Sequence, residues 1–248
     1  MNEVVTALRN RLPRQHQRAC LESSGQWDTK TTTIRIPFAG VLIFIAGVWN
    51  LLLTLAAESL QPSYNTSSGS GSGLGVPYFS SSPPTCNTLP GCAIPVQPSS
   101  AEFVFSIFFA GVCLLWAGII LRRESHRLFG LGLSISGGLL LVIGLSYAPF
   151  YIGTPNTGVV EDAADLHIIS SLLVFVLLVI LMISSYRLSR GPFRFLSLSL
   201  GMVALVAFLL GLSGNYLGLG PGGMERFMIF SFDCWAIGFG AHLLSAPG

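Results

Sequence analysis

Leu172-Leu173-Val174-Phe175-Val176-Leu177-Leu178-Val179-Ile180-Leu181-Met182-Ile183 runs for twelve residues without a polar side chain. It lies inside an apolar stretch, 166–186, interrupted near its start by His167. A hydrocarbon core about 30 Å thick is crossed by roughly 20 apolar residues in a helix. Inside lipid every backbone N–H and C=O must be satisfied within the segment, which an α-helix does. A β-barrel strand would alternate polar and apolar residues, and this run does not. The stretch therefore reads as a transmembrane helix.

Five more stretches meet the same length: 36–57, 103–121, 128–148, 195–214 and 224–244. The expectation is an all-α polytopic bundle of six spans over 36–245, preceded by a basic tail, 1–35. Composition agrees. Charged residues make up 10% of the chain and the mean hydropathy is +0.68, whereas a soluble domain carries about 25% charged residues. Residues 1–33 lack the apolar core of a signal peptide, so the first span is expected to serve as an uncleaved targeting signal.

The basic residues orient the spans. Arg9, Arg11, Arg14, Arg18, Lys30 and Arg35 precede the first. Arg122, Arg123 and Arg127 lie between the second and third, and Arg187, Arg190 and Arg194 between the fourth and fifth. The connections 59–101 and 150–165 contain no Lys or Arg, and Arg226 stands alone on that side. Lys and Arg collect on the cytoplasmic side of membrane proteins. Twelve basic residues against one predict both termini in the cytoplasm of a cell-membrane protein. The same alternation supports the count of spans, since one span more or fewer would destroy it.

Residues 59–101 form a long outer connection rich in Ser, Gly, Pro and Thr, such as Ser67-Ser68-Gly69-Ser70-Gly71-Ser72-Gly73. Such a composition buries too little apolar surface to offset ordering, so partial flexibility is expected. Cys86 and Cys92 flank a Pro90-Gly91 turn in an oxidising compartment, and a disulfide between them is expected. Cys20, Cys113 and Cys234 read as small packing residues. Asn65-Thr66-Ser67 is a glycosylation sequon on the outer side, meaningful only in a glycosylating host. No phosphate-binding loop, dinucleotide fingerprint or CxxC pair occurs, so neither a cofactor nor a nucleic-acid partner is expected.

Ionisable groups inside spans are costly and draw attention to function. Asp233 is the deepest, about 13 Å into the sixth span at 1.5 Å per residue. Its structural reading is a hydrogen bond to Ser134, Ser136 or Asn50; its functional reading is a proton-coupled carboxylate. Glu225 lies loosely on the same side of that helix, and His242 on the opposite face. Arg226 reads as an ion-pair partner of Glu225 or as a side chain reaching for lipid phosphate. Glu161, Asp162 and Asp165 suit the positive end of the fourth helix dipole. Glu58, His167 and Glu225 all fall at the outer membrane surface and form a candidate polar cluster. Asp165, His167 and Glu225 are ligand types that suit Zn²⁺, but no HxxxH or HExxH spacing exists, and no metal site is assigned. Pairs of glycines seven apart, Gly40 and Gly47, Gly111 and Gly118, Gly137 and Gly144, stay on one helix face and mark close packing.

The sixth span is also familiar in kind. Gly222-Gly223-Met224-Glu225-Arg226 followed by Trp235-Ala236-Ile237-Gly238-Phe239-Gly240 resembles the last helix of the prokaryotic six-span family known as domain of unknown function 998. Ala57-Glu58 with Gln61-Pro62-Ser63-Tyr64, and Gly144 through Pro155-Asn156-Thr157-Gly158 to His167, resemble that family's exit from helix one and passage into helix four. The outer connection with Cys86 and Cys92 is longer than the family pattern, and Asp233 stands where an apolar residue belongs. The resemblance implies a fold and a topology but no reaction.

Three functions remain open at this point. The first is a non-enzymatic protein embedded in the lipid bilayer that binds a lipid head group or a membrane-protein partner. The second is a small proton-coupled transporter using Asp233, although no repeat relates the two halves of the chain. The third is an intramembrane metal-dependent hydrolase built on Asp165, His167 and Glu225.

Overall fold

The computed structural model describes residues 14–60, 98–124, 126–147, 157–189 and 191–245, with side chains from 36, 100 and 162 onward in the first, second and fourth of these segments. Cys86 and Cys92, the Asn65 sequon and most of the 59–101 connection lie outside the described residues, as does the side chain of Cys20. Every element among the described residues is an α-helix: α1 (Arg14–Ser59), α2 (Pro98–Arg123), α3 (Arg127–Ser146), α4 (Thr157–Leu188), α5 (Pro192–Leu212) and α6 (Gly220–Ser245). Each contains a segment long and apolar enough to cross a membrane, six in all among the described residues. The basic residues from Arg14 onward continue the helix of the first span.

The helices pack mainly against their neighbours in chain order, and α6 returns to α1, so the six form a ring. Two seams of the ring are backbone against backbone. Between α1 and α6, a Cβ on Gly47 would lie 2.8 Å from the Asp233 carbonyl oxygen, and one on Gly40 would lie 2.9 Å from that of Gly240. Between α2 and α3, a Cβ on Gly111 would meet the Gly137 carbonyl at 2.9 Å and one on Gly118 that of Gly130 at 2.6 Å. Real Cβ atoms do not approach oxygen so closely, so these positions hold glycine because the helices touch there. Lipid tails are as apolar as leucine, which makes such van der Waals contact the main adhesive between helices in a bilayer. Gly144 is looser than its spacing suggested, with Phe108 Cβ at 3.4 Å.

The connection from α4 to α5 is short. Gly191, at φ 64°, adopts a left-handed conformation ahead of Pro192 at the first helical position, an arrangement that only glycine takes without strain. α5 ends in a Schellman motif: Gly214 has φ 71° and Asn215 N–H donates to the Leu210 carbonyl at 3.1 Å. α5 is also the most lipid-facing span, with 22% of its apolar segment buried against 33–44% for the other five. Its partners are essentially α4 and α6 alone.

Candidate functional site

The ring is filled differently at its two ends. At the end bearing Arg127, Arg187 and Arg194, aromatic rings occupy the interior. Trp235 and Phe239 of α6 stack at 5.2 Å, Phe129 of α3 lies 5.3 Å from Phe239, and Phe193 of α5 lies 6.1 Å from it. Offset and tilted ring pairs at these distances are favourable contacts. Trp235 Nε1 donates to Ser185 Oγ of α4 at 2.9 Å, and Ser185 is hydrogen bonded in turn to Ser197 of α5. The indole thus satisfies its one donor while remaining fully buried.

At the other end the interior opens into a narrow cavity of about 70 Å³ between α1, α2, α3, α4 and α6. Its walls are apolar, with Ile107, Ile143, Val174 and Leu178 among them. His167 and Glu225 both line it. His167 Nδ1 lies 3.2 Å from Ser146 Oγ, whose hydroxyl donates to the Ile143 carbonyl at 2.6 Å. Ser146 and the imidazole are thus joined at Nδ1, with the direction of that bond set by the ring's tautomer. Tyr147 meets the imidazole edge-on at 5.0 Å and fixes its plane.

Deeper in, the lining becomes polar at Asn50 and Thr54. Asn50 Nδ2 donates to Asp233 Oδ1 at 2.9 Å, and Asn50 Oδ1 accepts from Ser106 Oγ at 3.2 Å. Ser106 Oγ also donates to the Phe103 carbonyl at 2.8 Å, so its single hydrogen is divided between two acceptors. Asp233 is fully buried, and its Oδ2 has no hydrogen-bond partner among the described residues; the same holds for Thr54 Oγ1. A buried polar atom without a partner marks a place where water or a ligand group is needed.

Of the sequence candidates, His167 and Glu225 come to one cavity, whereas Glu58 is ion-paired with Arg226, Nε to Oε1 at 2.7 Å. Arg226 lies on the interior side of α6, 9% exposed, in place of the exposed snorkelling position. Asp233 takes Asn50 from its three possible partners: Ser134 donates instead to the Leu115 carbonyl and Ser136 to that of Gly132. His242 stacks on Phe193 at 5.7 Å and belongs to the aromatic end. Cys113 is buried as expected of a packing residue, but Cys234 is exposed on the lipid-facing side of α6. Asp165 is exposed, and no three His, Cys, Asp or Glu side chains are grouped to hold a metal among the described residues. Ser146, Tyr147 and Thr54 were not singled out from sequence. A hydroxyl residue near a helix end has many roles, and only the fold makes it a neighbour of His167.

Compared with family models, curated proteins and solved structures, the chain matches none.

Proposed function

We propose that this multi-pass protein is a non-enzymatic binder of an amphiphile, a lipid or lipid-like molecule, held in the cavity at the Glu225 end of the bundle. The observation that carries the reading is the combination of apolar walls with His167 and Glu225 on the same narrow void. Ligand sites are typically concave, mostly apolar and furnished with a few convergent polar groups. A single apolar chain lies along Ile107, Val174 and Leu178, and its polar end meets His167 and Glu225. The likeness to domain of unknown function 998, itself without an assigned reaction, is compatible with this role. In the same proposal the termini face the cytoplasm and the cavity opens on the outer side of the cell membrane.

Two measurements test it. Mass spectrometry of gently purified protein is expected to find a retained amphiphile that Val174→Phe, which fills the cavity, releases. Retention of the same species by a folded Val174→Phe protein would sink the reading. For orientation, Ser125→Cys and Ser189→Cys in a background without native cysteines are expected to resist impermeant thiol reagents in intact cells, while Gly69→Cys reacts. Labelling of Ser125→Cys without permeabilisation would reverse the topology.

A second reading, proton-coupled transport, draws on one observation: Asp233 is linked through Asn50 to the cavity lining. It calls for uptake that Asp233→Asn abolishes.

A further inference from the structure

The arginine-bearing end of the bundle has an outward-facing site as well as its filled interior. α3 and α4 leave a groove of about 1360 Å³, counting its open side, on the perimeter of the ring. Ile135 and Ile180 on its walls are 46% and 55% exposed. Gly132 lies on its floor, where a Cβ would meet only the flexible end of Leu181, at 3.2 Å. Unlike Gly111 or Gly118, this glycine is not squeezed by a neighbouring backbone; it keeps the groove deep.

His126, Arg127 and Arg187 line one end of the same groove. Both arginines are exposed, and neither forms an ion pair among the described residues. Nearby Arg194 is used differently, its guanidinium lying 3.9 Å over the Tyr186 ring. Two exposed guanidinium groups at one end of an apolar slot make that end attractive to an anion. The slot beneath takes hydrocarbon. One molecule supplies both: a phosphate that can accept paired N–H bonds from arginine, with acyl chains running down the helix faces. Basic pockets between transmembrane helices are suited to anionic head groups in this way.

The geometry points to a site for an anionic glycerophospholipid between α3 and α4, its phosphate held by Arg127 and Arg187 and an acyl chain seated over Gly132. A zwitterionic lipid presents the same phosphate, but its own ammonium group competes for it. This site is separate from the cavity at the other end and does not depend on the function proposed for that cavity.

The test uses the full chain in vesicles of equimolar phosphatidylglycerol and phosphatidylcholine, extracted mildly and weighed by native mass spectrometry. Phosphatidylglycerol is expected to be retained about tenfold over phosphatidylcholine, from two arginines near a phosphate. Arg127→Gln with Arg187→Gln should bring the ratio to near one. Arg122→Gln with Arg123→Gln removes the same charge from the end of α2, outside the groove, and should leave the ratio unchanged. Gly132→Leu should lower retention of both lipids by filling the slot. Equal retention of the two lipids by the native chain would overturn the site. So would an equal loss of selectivity in both arginine pairs, which indicates diffuse charge. A lipid-free dimer that closes the groove would also overturn it and give the groove to a second copy of the chain.

Discussion

The two ends of this helix ring are built from the same six helices and hold different things. At one end Trp235, Phe239, Phe129 and Phe193 fill the middle. At the other, aliphatic residues such as Ile107, Ala110, Ile143 and Val174 stand beside the rings of Phe103, Tyr147, Phe175 and Phe232, and a cavity remains. Aromatic residues stand at both ends, so what differs is how the rings are used: at the solid end they pack on one another across the middle, and at the open end they form part of a wall around a void. The solid end can lock the bundle, which leaves the open end free to bind.

The seams that hold the axes in place carry the largest expected effect. Gly137→Leu forces a side chain toward the Gly111 carbonyl oxygen, which a Cβ alone would meet at 2.7 Å. Helices α2 and α3 would have to separate along their length. Overpacking a tight site costs about 1–3 kcal/mol when side chains can yield, and here the obstacle is backbone, so a loss at or above the top of that range is expected. Thermal unfolding in detergent should show a large drop in midpoint or no folded protein. A Gly137→Leu protein as stable as the native chain would mean that α2 and α3 do not meet at this seam. Gly138→Leu, whose Cβ would meet nothing within 4 Å, is the matched control and should be mild.

The comparison of ends is sharpened next by a pair of opposite changes. Trp235→Ala removes a fully buried indole from the solid end and leaves Ser185 without its donor. Truncating a buried aromatic costs about 3–5 kcal/mol in soluble proteins, and about half of that is expected where lipid replaces water in the reference state. Val174→Phe adds volume at the open end and should change stability by less than about 1 kcal/mol, since existing space accepts it. Unfolding midpoints of the two variants give the answer. If both destabilise equally, the cavity is closed in the working protein and the contrast between ends fails.

How much of this was legible beforehand follows the same division. The spans were, because a bilayer demands a minimum apolar length; α3, expected over 128–148, runs Arg127–Ser146, whereas α1 and α4, expected over 36–57 and 166–186, run on past the apolar stretch as Arg14–Ser59 and Thr157–Leu188. The glycine seams were partly legible, since a seven-residue spacing marks one face. The partner face was not: Gly130 and Gly240, which meet Gly118 and Gly40, sit on other helices whose register no periodicity reports. Glu58 pairing with Arg226 joins residues 168 positions apart, and nothing in either helix alone distinguishes that partner from others at the same membrane surface. The cavity was invisible for a related reason. Ile107, Ile143 and Val174 are the residues any packed span would present, and a void is a property of the distance between helices. His167 and Glu225 stood out as ionisable, but their common cavity depends on α4 and α6 facing one interior.

Asp233 joins the two ends, and its replacement is expected to have the smallest effect. The carboxyl is fully buried and accepts a hydrogen bond from Asn50 Nδ2 at Oδ1. Asp233→Asn preserves the side chain's shape and that acceptor, and puts an amide nitrogen where Oδ2 had no partner among the described residues. The added N–H donors need an acceptor, and water entering past Asn50 and Thr54 is the nearest means of satisfying them. A change below about 1 kcal/mol is therefore expected, with amphiphile retention intact. Asp233→Leu differs in one respect that matters: it strips Asn50 Nδ2 of its acceptor, and a stranded buried donor costs about 1–3 kcal/mol. The order of the two variants in an unfolding experiment thus tests whether the Asn50 bond is what Asp233 contributes. If Asp233→Asn behaves like Asp233→Leu, the carboxylic acid itself is required, and Asp233 is more than a hydrogen-bond acceptor. Should Asp233→Asn leave stability unchanged yet abolish a measured uptake, the cavity would be an access route to the acid, and the transport reading would replace the binding one.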